Sequence, residues 1–246
     1  MHDTAWKIGK LFFDIYQTPE WRAVIDCGAM DMNGSLRSVC PNDIYYIGVD
    51  VEFGKSVDVK VNIGESLPFR DDFVDCVVSS SQMEHDDFFW MTFLEYVRIV
   101  KPGGYVYINA PSNGAYHRHP NDNWRFYPDC GHVLVRWAKK NGYAVELVES
   151  FCSERMASGW NDYVAVFVKG VGTSRVRYIA DEFPCRNVWK FGASEPEKVS
   201  STVQDMDLLA DALRENDRLV AKVGARPESH EAEIIAVVSD AADPQG

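Results

Sequence analysis

The chain has 246 residues, 46% of them hydrophobic, and 25 Lys and Arg stand against 37 Asp and Glu, a net charge of −12. That length supports one sizeable core with an appendage, and the acidic balance disfavours a surface that tracks a phosphate backbone, so a small molecule is the expected partner and nucleic acid is not. The six cysteines (27, 40, 76, 130, 152 and 185) lack any paired C-x-x-C spacing and read as reduced core thiols. With no cleavable signal and no apolar run of bilayer length, the expected location is cytoplasmic, without a transmembrane segment.

Trp6, Ile8, Gly9, Leu11, Phe12, Ile15 and Tyr16 form an approximate helical stripe, with Asp3 or Thr4 as cap and Pro19 as stop. This helix is expected over the mouth of a ligand crevice. Residues 23–50 then read as strand, tight glycine turn, short helix and second strand. The run Val24-Ile25-Asp26-Cys27-Gly28 is how a buried parallel strand delivers its carboxyl end to a crevice, and Asp50, 22 positions beyond Gly28, has the spacing of an acid that binds ribose hydroxyls. The glycine pattern does not suit a dinucleotide, because Met30 and Asn33 stand where a pyrophosphate needs bare backbone. A nucleoside ligand with no phosphate to cradle fits better.

Residues 51–56 leave little room for a full helix before an alternating strand at 57–62, so one crossover is abbreviated. A proline-marked loop leads to a fourth strand that ends in Ser79, Ser80 and Ser81. A helix follows over 87–100 with Phe89, Phe93, Leu94, Val97 and Val100 apolar, and Lys101-Pro102-Gly103-Gly104 turns it into a strand at 105–110. Beyond a long loop come a helix at 129–141, a strand at 144–151 and a final, antiparallel strand at 163–168, with Gly170 and Gly172 at the boundary.

Val24-Ile25-Asp26-Cys27-Gly28, Gly48-Val49-Asp50, Leu67-Pro68-Phe69 before Phe73-Val74-Asp75, Glu84-His85, and Arg98-Ile99-Val100-Lys101-Pro102-Gly103-Gly104 are weak motifs singly. In this order and spacing, residues 20–170 resemble a class I S-adenosylmethionine-dependent methyltransferase, more narrowly one with a type 11 methyltransferase domain. The resemblance implies an α/β, Rossmann-like fold whose seven-stranded, mostly parallel sheet ends in an antiparallel strand. It implies S-adenosylmethionine as cofactor and S-adenosylhomocysteine as product. Gly28, with Ala29, would let the backbone approach the cofactor's methionine part, and Asp26 would order the turn or oppose a positive charge there. Asp50, with Val51, would accept the ribose hydroxyls, Asn62 and Ile63 would meet the adenine, and Ser79 would line the crevice. Met30, Met32 and Asn62 depart from the family pattern.

Residues 111–129 leave the fifth strand without periodicity yet carry two histidines and four aromatics, which reads as a substrate-binding lid. His117 and His119 have no acidic or cysteine partner at ligand spacing on a regular element, so no metal is expected. Proton transfer is the expected role for His85, His117 or His119, because a hydroxyl nucleophile benefits from a base with a pKa near neutrality. Asp122 would orient a histidine, Arg125 would pair with an acidic group of the substrate, and Tyr116, Trp124, Phe126 and Tyr127 would form an apolar wall or a platform for a sugar ring.

The expected division is a catalytic domain at 1–170 and an extension at 171–246, helical over 203–223. There Met206, Leu209, Leu213, Asn216, Val220 and Val223 step by three and four, a stripe suited to a second copy or to the chain's own domain. The tail reads as largely solvated, apart from an apolar run at 234–238. The expected activity is methyl transfer to a small-molecule or sugar-bearing acceptor, with oxygen as the expected acceptor atom, in glycan or secondary-metabolite biosynthesis. The rivals are a non-catalytic scaffold relative and a nicotinamide oxidoreductase, the latter lacking the glycines that a pyrophosphate requires.

Overall fold

The structure, a computed structural model, describes residues 2–223. The chain up to Ser200 forms one compact unit and a second begins at Ser201. The strands of the first unit are β1 (Ala23–Cys27), β2 (Tyr45–Asp50), β3 (Val59–Lys60), β4 (Val74–Ser80), β5 (Val100–Pro111), β6 (Val145–Ser153), β7 (Asp162–Lys169) and β8 (Cys185–Lys190). They build one sheet in the order β3-β2-β1-β4-β5-β7-β6-β8. β1 to β5 pair in parallel, whereas β7 runs antiparallel to β5 and to β6. The first seven strands therefore have the arrangement that the resemblance implies.

β8 is an addition. It lies beyond residue 170 yet pairs antiparallel with β6. Its alternation is hard to read in the sequence because Asn187 takes a left-handed backbone (φ 55°) and the pairing shifts register between Ser150 and Cys152.

The helices of this unit are α1 (Asp3–Tyr16), α2 (Phe89–Ile99), α3 (Cys130–Lys140) and α4 (Ile179–Glu182). α1 places Ile8, Phe12 and Tyr16 on one stripe, where they meet Val24, Cys76, Val78 and Tyr107 of the sheet. Each such side chain, fully buried, contributes on the order of 1.5–3 kcal/mol. α2 and α3 cover the opposite face through Phe93, Val97, Leu134 and Ala138. α1 thus spans a face of the sheet rather than capping the crevice, and only its first turn reaches the carboxyl edge. There His2 Nε2 lies 2.8 Å from Asp162, and the Asp3 carboxylate accepts from the Ala157 backbone at 3.0 Å.

Two crossovers are shortened. Between β1 and β2 the expected short helix is a single 3-10 turn, Leu36–Ser38, and no helix separates β2 from β3. The described cysteines are all free, five of them buried, as the absence of paired spacing suggests. The second unit contains α5 (Gln204–Val223), which carries the stripe from Met206 to Val223. The apolar run at 234–238 and the solvated tail lie outside the described residues. Among the described residues, no helix is long and apolar enough to cross a membrane.

Candidate functional site

Parallel strands end together, so the loops after β1, β2, β4 and β5 meet along one edge of the sheet. β1 pairs with both β2 and β4, which brings Asp26 beside Gly48 on one side and Val78 on the other. Gly28 follows with φ 85°, and a β-carbon there would stand 2.5 Å from the Gln82 β-carbon, so glycine is required twice over. The backbone N–H groups of Gly28 and Ala29 both donate to the Val49 carbonyl, at 2.9 and 3.1 Å. Met30 turns its sulfur onto Gly54, where a side chain would approach to 2.2 Å. Met32 is exposed.

Asp50 sits at the end of β2. One carboxylate oxygen accepts from the Met30 backbone at 3.0 Å and the other from its neighbour Val51 at 2.7 Å. Each oxygen keeps a further lone pair. The carboxylate is therefore both anchored and able to take two hydroxyls, which fits a ribose. Asp26 is committed differently: it is buried and accepts from the Tyr46 hydroxyl at 2.6 Å. Burial raises its pKa to about 7, against the opposing effect of that hydrogen bond. Asn62 donates to Glu65 at 2.9 Å on the surface, and Ile63 is 54% exposed, as an edge that receives a flat ring would be. Ser79 is buried, with its hydroxyl 3.3 Å from the Gln82 carbonyl oxygen.

Across the same edge, the loops after β4 and β5 bring His85 and His117 together, with ring centres 5.0 Å apart. His85 Nδ1 lies 2.5 Å from the Asn121 carbonyl, which can only accept, so Nδ1 carries the hydrogen and Nε2 the lone pair. Burial, reinforced by the neighbouring His117, lowers the pKa of His85. His117 Nδ1 likewise faces acceptors, the Ala115 carbonyl at 3.2 Å and Asp122 at 3.3 Å. His119 is exposed, 6.5 Å from the His85 ring.

Glu84 stands beside the pair, 1% exposed, with Oε1 3.6 Å from His85 Nε2 and no hydrogen-bond partner for Oε2. Burial raises its pKa to about 8. Sequence spacing offers His117 and His119 no acidic partner, and the fold brings Glu84 to His117 from the loop after β4. One ligand atom from each of Glu84, His85 and His117 falls within 4.8 Å of the others.

Asp122 is clamped by both terminal nitrogens of Arg125, at 2.6 and 2.9 Å, and also accepts from the His117 backbone at 2.7 Å. Arg125 first, then that backbone bond, holds its carboxyl far below the usual range, so it orients His117 and accepts no proton. Arg125 is spent within the loop, bonding also to the Ala115 and Trp124 carbonyls. Trp124 donates to the Asp86 carbonyl at 2.8 Å and packs against Phe89 and Trp90, which makes it part of the wall. Phe126 is buried, while Tyr116 and Tyr127 stand exposed on the loop.

Gln82 had no sequence signal. Its carbonyl oxygen accepts from Tyr96 at 3.0 Å and its amide donates to Asp86 at 3.1 Å, tying the β4 loop to α2 over Gly28. Trp160, whose ring centre is 5.0 Å from that of His117, was equally hidden, because it arrives from the loop between β6 and β7.

A family model described as a methyltransferase domain matches residues 27–108. No curated protein sequence matches the chain. Among solved structures, Burkholderia thailandensis 1,6-didemethyltoxoflavin-N1-methyltransferase, described with bound 1,6-didemethyltoxoflavin and S-adenosylhomocysteine, is 14% identical with a TM-score of 0.51, covering 68% of this chain and 78% of that one. The [4+2]-cyclase SpnF is also 14% identical with a TM-score of 0.51, covering 68% of this chain and 82% of that one. At that identity the likeness is one of fold. Residues 27–108 match a methyltransferase domain, and the motif order and sheet order of the chain are those of a class I S-adenosylmethionine-dependent methyltransferase.

Proposed function

We propose that this methyltransferase methylates an oxygen of a small hydroxylated or sugar-bearing acceptor, of the kind handled in glycan or secondary-metabolite biosynthesis. What carries the proposal is the convergence of His85, His117 and the buried Glu84 at the sheet edge where the strands before Gly28 and Asp50 also end. When bound, S-adenosylmethionine supplies an electrophilic methyl group. Asp50 would hold the ribose, Gly28 and Ala29 would admit the methionine end, and Asn62 and Ile63 would flank the adenine.

An acceptor hydroxyl must lose its proton as its oxygen attacks. His85 keeps its Nδ1 hydrogen on the Asn121 carbonyl and so leaves a lone pair on Nε2 to take that proton, and His117, whose Nδ1 faces the Ala115 carbonyl and Asp122, lies beside it. Asp122 and Arg125 hold the lid, and the exposed Tyr116 and Tyr127 offer faces to a sugar ring.

The decisive experiment is calorimetric titration of the cofactor-stripped protein with S-adenosylmethionine, S-adenosylhomocysteine and NAD. Micromolar binding of the first two and none of NAD is expected, followed by methyl acceptance in a screen of hydroxylated sugars and metabolites. Absence of binding by either sulfur ligand overturns the assignment in favour of a scaffold whose Met30 loop has closed the site.

A further inference from the structure

We propose that Glu84, His85 and His117 bind a divalent transition-metal ion of the zinc class. The argument begins with an imbalance. Glu84 Oε2 is buried without a partner, its Oε1 lies 3.6 Å from His85 Nε2, and the hydrogen of that ring is already committed through Nδ1 to the Asn121 carbonyl. Apart from the carboxyl's own proton, which a bound cation would displace, no hydrogen is supplied to the space between Glu84 Oε1 and His85 Nε2. A separation of 3.6 Å is too long for a hydrogen bond. It is close to the spacing of roughly 3.4 Å between two ligands on one tetrahedral ion with bonds near 2.1 Å.

His117 completes the set, and the three ligand atoms lie within 4.8 Å of one another, so a side-chain rotation of about an ångström brings them to bonding distance. The surroundings are those a metal site uses. His85 donates its far nitrogen to a fixed oxygen, the Asn121 carbonyl, and His117 faces Asp122 and the Ala115 carbonyl through Nδ1, contacts that set the ring orientations. Asp122 is itself held by Arg125. Two imidazoles with one carboxylate suit zinc, cobalt, iron or manganese, whereas magnesium and calcium prefer oxygen alone. Three protein ligands leave a coordination position open for an acceptor hydroxyl; with the ion bound, the imidazole nitrogens are ligands rather than proton acceptors, and the ion would lower that hydroxyl's pKa in their place. That last role alone rests on the proposed function; the metal site does not.

The test uses Co2+, whose visible absorption reports its ligands, titrated into the chelator-treated full chain and into Glu84→Gln and His117→Gln. One equivalent per chain is expected to bind the wild type with a new visible band, and each substitution should weaken binding by at least about tenfold. Glu84→Gln loses no donor, so it should remain folded, and calorimetry with S-adenosylmethionine on the same preparations reports independently on the methyltransferase reading. A wild-type spectrum no different from that of free Co2+, or binding indifferent to both substitutions, overturns the metal site even where S-adenosylmethionine binds. A metal site that persists without cofactor binding leaves this inference standing and removes the methyltransferase reading instead.

Discussion

Two glutamates are buried to nearly the same degree, Glu149 at 0% exposure and Glu84 at 1%, in opposite company. Glu149, on β6, accepts from the Tyr16 hydroxyl at 2.6 Å and from the backbones of Ile179 and Ala180 at 2.9 and 3.0 Å. It joins α1, the sheet and α4. Glu84, in the loop after β4, receives no hydrogen bond from another residue at Oε2 and faces a ring whose nitrogen bears a lone pair. A buried carboxylate surrounded by donors is a structural rivet, whereas one left without them is kept for something that arrives later.

Substitutions can break that contrast. The largest effect belongs to Glu149→Ala, which strands three donors in the core and should lower unfolding free energy in urea by about 3–5 kcal/mol. Next is Asp50→Ala. Losing charge-assisted hydrogen bonds to a ribose should weaken S-adenosylmethionine by about 1.5–3 kcal/mol, roughly tenfold to a hundredfold by calorimetry, and unchanged affinity would remove Asp50 from the site.

Asp26 tests how burial acts on an acid with one donor. Its folded pKa of about 7 lies above the unfolded value of 3.8, so the folded state binds the proton more tightly. Stability relative to Asp26→Asn should therefore fall as pH rises between these two values, at up to about 1.4 kcal/mol per pH unit, and the difference should level off above the folded pKa. A flat difference across that window would mean that the Tyr46 hydrogen bond cancels the effect of burial. The smallest effect is expected at Glu84→Gln, within about 1 kcal/mol of wild type in the absence of metal, because no hydrogen bond is lost. A loss as large as that of Glu149→Ala would erase the distinction between the two acids.

The sheet was legible because its strands are apolar runs ended by glycine, acid or serine, as at Gly28, Asp50 and Ser79, and because parallel strands advertise themselves by burial on both faces. α1 was legible as a stripe but not in its position, since Ile8, Phe12 and Tyr16 suit any apolar surface and only tertiary contacts choose the face. The residues around His85 and His117 were visible one by one. Their partnership was not: Glu84 sits next to His85 in sequence, where adjacency carries no geometric message, and Asn121 and Trp160 come from separate loops. Arg125 has the look of a substrate clamp, yet Asp122 lies three residues away and claims it first.

β8 bears on how this molecule behaves in a crowded solution. β6 would otherwise be the rim of the sheet, with a row of unpaired amides open to any passing strand. β8 covers that row, and residues 187–188 in turn bond back to 197–198, with the Asn187 and Val188 amides donating to Lys198 and Glu197 at 2.9 and 2.8 Å. At the opposite rim, β3 is two residues long. A chain cut after Lys169 would keep the loops after β1, β2, β4 and β5 yet lay the β6 rim bare, and it is expected to self-associate more readily than the full chain.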